Sequence, residues 1–534
     1  MFKSDAISFG NYFKLPNTGL RAYFNNVVKG QPNIYDTPFA KGESTEKLLQ
    51  NWQDILESIS DEWPSLYEFE MDMKGKVGPL SIMKPLKDRM EDIDAYYNGV
   101  VAPAEPVSDR AIKATLAEWK PARGSHVRSQ KLTVERMKKS SNSGSPYFTK
   151  RRYVTDKTIP VEYVRPRANT VMQVLHSGDS TWNACAILGW RGQEGGMKDD
   201  DVKQRVVWMF PYAVNIEELR VYQPLIEAAQ RFDIVPAWVS MDSVDNHITQ
   251  LFDSKSDKDL VICTDFTKFD QHFNDSLQNA ARTIIDGVLT PNSDARYWLA
   301  DVFPVKYMIP LAYDYNKVRY GKHGMGSGSG GTNFDETIAH RCLQYEAAQS
   351  QGKKLNPHSM CLGDDGILSY PGCTVDDVIT SYTRHGLEMN QSKQYASNQD
   401  CVYLRRWHHR NYRVNGVCAG VYSTMRALGR LRYLERFYNP EVWDSKMVAL
   451  RQLSIIENVK YHPLREKFAD YCMQRDKYRL GIDIPGFLDN IEDEARQAID
   501  QLPDFLGYTK TMQADAEGLG IQSWWIVNYL KSKA

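Results

Sequence analysis

The sequence predicts an α+β protein, and three stretches carry that expectation. Residues 259–273, "DLVICTDFTKFDQHF", hold a short β-branched and apolar run that ends in a carboxylate, with helical periodicity after it. Residues 324–345, "GMGSGSGGTNFDETIAHRCLQY", lead from a glycine-rich loop into a second helical stripe. Residues 357–370, "PHSMCLGDDGILSY", set two short apolar runs around a Gly-Asp-Asp turn, the pattern of a tight hairpin.

The chain opens with "MFKSDAISFGNYFKLPN", which has no signal-peptide core, and no later run reaches the length of a membrane span. "APAEPVS" (102–108) and "SSNSGSP" (140–146) are expected to be flexible joints, since Pro, Ser and Gly dominate them. Leu260 to Thr264 read as a buried strand ending in Asp265, and Asp270 follows five residues later. A helix comes next: Leu277, Ala281, Ile284, Ile285 and Val288 share one face, and Pro291 stands beyond its end. If this strand lies beside the hairpin, Asp265 and Asp364 meet at one end of a sheet. Gly-Asp-Asp alone arises by chance in roughly one chain in ten of this length, so the upstream carboxylates decide its meaning. Adjacent like charges repel unless water or a cation separates them. Convergent carboxylates suit Mg²⁺, which keeps waters and substrate phosphates in its shell. The bland alternative is two solvated turns.

Gly326, Gly328 and Gly331 match G-x-G-x-x-G literally. A dinucleotide fold is excluded, because the preceding "NKVRYGKH" is polar and a helix fills the place of the second strand. What remains is a loop whose amides can approach phosphate or ribose, with Ser327, Ser329 and Thr332 as side-chain donors. Phe334, Ile338, Cys342 and Tyr345 form the stripe of the following helix, and Asn333 with Glu336 reads as a capping-box variant.

Further on, Leu428, Leu431, Leu434 and Tyr438 form a buried helical stripe. Arg430, Arg432 and Arg436 are left to face either solvent or an anionic partner. The tail "GLGIQSWWIVNYLKSKA" (518–534) is unusually apolar for a chain end. It reads either as a final helix sealing a core or as an aromatic platform for stacking bases. At 534 residues, several subdomains are expected. A net charge of −1 argues against a protein that coats nucleic acid with its outer surface, while leaving room for an internal basic channel. Eight cysteines without a C-x-x-C pair point to neither zinc nor a disulfide framework, and a reduced, cytosolic setting is expected.

In order, D-x4-D on a strand, SG-x3-T before a helix and GDD in a hairpin resemble motifs A, B and C of viral RNA-dependent RNA polymerases. "DVKQRVVWMF" (201–210) looks like motif F, "GLEMNQSKQ" (386–394) like motif D, "CVYLRRW" (401–407) like motif E, and "SSNSGSPYF" (140–148) like motif G. "SGSGGTN" and "TMRALGRLRYLER" (424–436) are most similar to the picobirnavirus members, with partitivirus enzymes as near neighbours.

The resemblance implies a closed right hand with an antiparallel palm sheet and a helical thumb. Fingers would be 101–210 and 276–324, palm 211–275 and 325–410, thumb and tail 411–534, with 1–100 bridging fingers and thumb. It implies that Asp265, Asp364 and Asp365 hold two Mg²⁺ ions, with Mn²⁺ able to substitute, and that Lys393 is a general acid toward pyrophosphate. Lys203 and Arg205 would hold the triphosphate, with Ser327 and Thr332 at the nucleotide and Asp270 and Asn333 checking the ribose 2′-hydroxyl. Ser143 and Gly144 would meet template, and Arg430, Arg432 and Arg436 product RNA. One position departs from many relatives: Glu336 stands four places after Thr332, where they carry Asn. The function implied is template-directed RNA synthesis from ribonucleoside triphosphates, for transcription and replication of a double-stranded RNA genome. It would take place without a membrane, in the capsid interior of the virion and in the host cytoplasm. A reverse transcriptase or DNA polymerase is the nearest rival, with Gly363 and Asp270 arguing for RNA. A non-catalytic, capsid-associated RNA-binding protein is the rival of another class.

Overall fold

The computed structural model describes residues 3–4, 9–164, 173–498 and 520–534, so Gly518 and Leu519 of the apolar tail lie outside the described residues. Strands β1 (Lys3–Ser4), β2 (Ala186–Gln193) and β3 (Lys203–Met209) precede the central strand β4 (Val261–Thr264). After it come β5 (Leu311–Asp314), β6 (Lys317–Tyr320), the hairpin β7 (Met360–Leu362) and β8 (Asp365–Leu368), and β9 (Tyr395–Ser397). A last unit comprises β10 (Asp400–Tyr403), β11 (Arg406–His409) and β12 (Val421–Tyr422). The helices that matter here are α1 (Thr45–Leu56), α2 (Pro64–Lys76), α3 (Tyr212–Arg231), α4 (Met241–Ser254), α5 (Asp275–Val288), α6 (Thr332–Ser350), α7 (Thr424–Arg432), α8 (Ser445–Glu457) and α9 (Trp525–Lys533).

The central sheet runs β7-β8-β4-β9. All four residues of β4 are buried because both faces are covered. Val261 and Cys263 turn toward Val244, Ile248 and Leu251 of α4, while Ile262 turns toward the core built from α5 and α6. The expected helix after Asp265 forms as α5, with Asn274 Oδ1 accepting from the amides of Ser276 and Leu277 and the predicted apolar face buried. A second sheet, β1-β6-β5-β2-β3, stands beside it. Its long β2–β3 pairing sets Arg191 opposite Arg205 and Gln193 opposite Lys203.

Three expectations need correction. Residues 140–146 are a packed loop rather than a joint: Ser143, Gly144 and Ser145 are buried, and the Tyr212 amide donates to Ser143 O. Helix α6 starts at Thr332 with Gly331 as its cap, so Asn333 caps nothing. Asp335, Glu336, Thr337, His340 and Gln344 are buried along with Phe334, Ile338 and Cys342, because neighbours pack around most of the helix; Tyr345 is half-buried. The helix carrying the arginines ends at Arg432; Leu434 is buried from the following extended segment, its amide donating to Tyr35 O.

The tail does form a final helix. Ile526, Val527 and Leu530 of α9 are fully buried in one core with Trp52, Leu66, Leu428, Leu450 and Phe468. Glu457 at the end of α8 accepts from the amides of Trp525 and Ile526, satisfying the donors that open the helix. The same core takes α1 and α2, and Trp52 Nε1 donates to Thr424 Oγ1 across 2.7 Å. Leu20 and Phe24, from the same N-terminal segment, pack instead under the second sheet with Ile187 and Ala312.

Candidate active site

The register of the central sheet assembles the carboxylates. Strand β8 runs antiparallel to β4 with Gly366 opposite Thr264, so Asp265 and Asp365 emerge at the same edge, with Asp364 at the hairpin tip. Gly363 turns that tip at φ +59°, a left-handed conformation that L side chains rarely adopt. Two residues of α6 hold it: Thr337 Oγ1 accepts from the Gly363 amide at 2.9 Å, and His340 Nδ1 donates to Gly363 O at 2.9 Å. Burial keeps His340 neutral, lowering its pKa to about 4.

Each carboxylate has a distinct setting. Asp365 Oδ2 accepts from the Leu404 amide at 2.8 Å, tying the β7–β8 hairpin to the β10–β11 turn. Burial, then the neighbouring Asp364, push its pKa up to about 7. Asp364 is raised as well, by burial and then by Asp270. Asp265 is exposed at the edge, its backbone held in both directions by the Gln394 amide group. Partial burial raises its pKa, and Lys393, Lys76 and Lys203 pull it back down. The predicted lysines Lys393 and Lys203 are therefore within electrostatic reach of Asp265. Acidic groups that resist ionising beside one another have the donor chemistry of a site awaiting a cation. Among the described residues no three His, Cys, Asp or Glu side chains converge as a ready-made metal cage. An oxygen-ligated cation here would draw further ligands from water and phosphate.

Asp270 lies behind this edge, buried, and pairs with Arg205 at 2.9 Å. Glu336 is its second neighbour, hydrogen-bonded to it, with a pKa raised well above the carboxylate range by burial and then by Asp270. Its Oε1 is buried without a partner among the described residues. Asn333 Oδ1 accepts from Trp238 Nε1 at 2.8 Å, which leaves its amide nitrogen turned toward Gly363. Asp270, Glu336 and Asn333 thus surround the hairpin tip.

Other predicted contacts are placed differently. Ser327 Oγ accepts from the Trp208 amide, and Thr332 Oγ1 donates to Gly326 O and Ser329 O. These half-buried hydroxyls shape the loop through the bonds they make to its backbone and to β3. Ser329 is bound to Glu218 of α3 in the same way. Gly328 is required by close approach, because a Cβ there would stand 1.7 Å from Trp208 O. Ser143 and Gly144 lie inside their loop, Ser143 Oγ accepting from the Thr149 amide. Arg432 donates to three backbone carbonyls, of Phe39, Ala40 and Glu43, so its guanidinium is structural. Arg430 is shared between Glu194 and Glu435. Arg436 is exposed, with its Nε 3.3 Å from Tyr438 Oη.

The sequence reading missed Thr337, His340, Leu404 and Gln394 as supports of the site. A signal existed for the first two: Asn333, Glu336, Thr337 and His340 recur at helical spacing and form a polar face on α6.

Residues 90–462 match the family described as viral RNA-dependent RNA polymerase. A curated relative named "Potential RNA-dependent RNA polymerase", from Human picobirnavirus (strain Human/Thailand/Hy005102/-), is 58% identical over 530 residues, 98% of each chain. Among solved structures, the RNA-dependent RNA polymerase of a human picobirnavirus superposes with a TM-score of 0.93 at 56% identity. The insertion-loop deletion mutant of such an enzyme superposes at 0.91 and 55%, and both similarities cover 99% of each chain.

Proposed function

Because the chain belongs to the viral RNA-dependent RNA polymerases, with their right-hand fold, we propose that Asp265, Asp364 and Asp365 are the carboxylates at which it joins ribonucleotides. RNA-directed RNA synthesis, with RNA and nucleoside triphosphates as substrates, is the activity of the family. Membership also removes the reverse-transcriptase and non-catalytic rivals. The observation that carries the assignment is the β4–β8 register, which brings the carboxylates from two distant segments to one edge.

Asp265 and Asp364 would hold divalent cations, Mg²⁺ by their oxygen-only chemistry and Mn²⁺ as a substitute, with Asp365 assisting. Bound there, such ions supply a lowered pKa at the attacking hydroxyl and charge neutralisation at the leaving pyrophosphate. Lys203, within electrostatic reach of Asp265, would clamp phosphate oxygens. Arg205 joins it by exchanging Asp270 for the triphosphate, a trade of one charge-assisted partner for another. Asp270, freed from Arg205 but still backed by Glu336, accepts a hydrogen bond from the ribose 2′-hydroxyl, with the Asn333 amide beside it. Lys393, within reach of the Asp265 charge, would give a proton to departing pyrophosphate. Ser327 and Thr332 act by holding the glycine-rich loop whose amides approach the nucleotide. Product RNA would lie against the region of Arg430 and Arg436, and template against the outer rim of the loop around Ser143.

The test is Asp364→Asn, assayed for RNA synthesis in Mg²⁺ and in Mn²⁺. Synthesis should vanish while RNA binding and the fold persist; synthesis within tenfold of wild type would overturn the assignment.

We also propose the virion interior, with the capsid around it, and the host cytoplasm as the places of synthesis, for a double-stranded RNA genome. Eight free, buried thiols are compatible with a reducing compartment. No described helix is long and apolar enough to cross a membrane. Protease protection of the polymerase in intact particles is the measurement; digestion alongside free protein would refute the location.

A further inference from the structure

Away from the carboxylate edge, two histidines from distant segments turn the same ring nitrogen toward one another. His247 lies on α4, and His358 precedes β7, the strand that leads toward Asp364. Their Nδ1 atoms stand 3.1 Å apart. On its other side His247 Nε2 meets Oδ2 of Asp233, just past α3, at 2.8 Å. A carboxylate only accepts, so the proton of a neutral His247 is on Nε2 and its Nδ1 carries a lone pair. Ser243 Oγ donates to Asp233 Oδ1 at 2.7 Å, so both carboxylate oxygens are held. Asp233 itself takes a left-handed backbone at φ +50°, which is uncommon for a residue other than glycine.

This run of contacts, from hydroxyl to carboxylate to imidazole, is the support that metal-bound histidines use. One ring nitrogen donates to a carboxylate and the other offers its lone pair to the ion. The spacing fits as well. Two nitrogens about 2.0–2.1 Å from a tetrahedral ion stand about 3.3 Å apart, so a small outward movement of either ring admits one. Without an ion, the gap holds an N–H···N hydrogen bond with His358 as donor. An ion takes the place of that proton, and His358, half-buried, regains one on Nε2 from water and stays neutral. Charge favours a cation too. An open cavity of about 530 Å³ beside His247 is lined by Asp233 and Asp242, which leaves water room to reach the pair. Arg341 donates to the carbonyls of Pro357 and Ser359 on either side of His358, and its charge is met by Glu118 at 2.7 Å.

We propose that His247 and His358 form a binding site for a transition-metal dication of the zinc class, with Asp233 as its outer support. Two side chains converge here rather than three, so water completes the coordination. Imidazole nitrogen suits Zn²⁺, Cu²⁺ and Ni²⁺, whereas Mg²⁺ prefers oxygen, so this pair and the carboxylate edge take different ions. The two ligands come from α4 and from the approach to β7. A bound ion therefore fastens the outer helix to the strand that ends at the Gly-Asp-Asp turn.

The experiment uses the full chain, stripped with EDTA and then kept in excess Mg²⁺ to occupy the carboxylate edge. Zn²⁺ uptake is measured by competition with a chromogenic chelator. Wild type is compared with His247→Gln, His358→Gln and Asp233→Asn, each first shown to unfold thermally like wild type without zinc. Wild type should bind one equivalent that either histidine variant loses, and Asp233→Asn should bind it about ten- to hundredfold more weakly. Zn²⁺ should also raise the thermal midpoint of wild type, which binds it when folded, and leave that of the histidine variants unchanged. Equal uptake by wild type and the folded histidine variants would mark adventitious binding elsewhere and overturn the site. Should those variants fail to fold, zinc-edge anomalous diffraction from wild-type crystals soaked in Zn²⁺ decides. A peak about 2.0–2.1 Å from both Nδ1 atoms supports the site, and no peak between them overturns it.

Discussion

Replacing Asp270 by alanine should separate sugar recognition from nucleotide binding. The carboxylate is 10% exposed and sits between Arg205 and Glu336, so a hydroxyl bonded to it is shielded from water. A hydrogen bond to a charged, buried acceptor contributes about 1–3 kcal/mol. The preference for ribo- over deoxyribonucleotide, as a ratio of kcat/KM values, should therefore fall about five- to hundredfold. Two side effects run through the same residue. Arg205 loses its partner, but its own side chain is 47% exposed, so water takes over much of that contact and the loss costs about 0–1 kcal/mol. The KM for a ribonucleotide should thus move less than about fivefold. Glu336 loses its strongest electrostatic opponent after burial, so its acid ionises more readily. The assay is single-nucleotide incorporation on a primed RNA template with CTP and dCTP, resolving kcat from KM. An unchanged ratio would refute the role of Asp270 at the ribose, and equal losses for both substrates would make it a support for Arg205 alone.

His323, His340 and His408 are each buried with a pKa lowered to about 4, chiefly by burial. The unfolded chain takes up their protons first, so their contribution is complete above pH 6.5. It is lost at about 1.4 kcal/mol per histidine per unit as pH falls from there toward 4. Thermal unfolding between pH 7 and 5 should show this slope, and His323→Gln should flatten it; a pH-independent midpoint would contradict the burial argument. Truncation after Gly520 removes Ile526, Val527 and Leu530 from a shared core, each worth about 1.5–3 kcal/mol. Soluble folded protein should be lost, and a stable truncation that retains primed synthesis would show that the tail is dispensable to the core. Arg432→Ala should destabilise by about 2 kcal/mol through its lost carbonyl bonds. It should leave the salt dependence of RNA binding unchanged; a reduced salt slope would restore Arg432 to the RNA surface.

What the sequence by itself determined were the local pieces of the centre. The strand ending in Asp265, the helix after it and the Gly-Asp-Asp turn follow from short-range periodicity and turn chemistry. Their order along the chain was enough to suggest a shared edge. The tail's apolar density left a sealing helix and a stacking platform both open, and gave no sign of the Glu457 carboxylate that satisfies the first amides of the helix that forms. Only the tertiary structure decided how the polar groups are shared out. Asn333 reads equally well as a cap, and becomes a neighbour of the hairpin tip because α6 starts two residues earlier than such a cap requires. The motif B hydroxyls of Ser327 and Thr332 look free in sequence, yet in the half-buried loop they bond its own carbonyls and β3. Arg430 and Arg432 sit two residues apart on one helix and meet different fates: one faces Glu194, 236 residues away, and the other three carbonyls of the N-terminal segment. Periodicity sets which face of an element turns inward, since that depends on neighbours within a turn or two. Which charge or carbonyl waits opposite depends on the packing of distant segments, and the cost of an unpaired buried group settles it there.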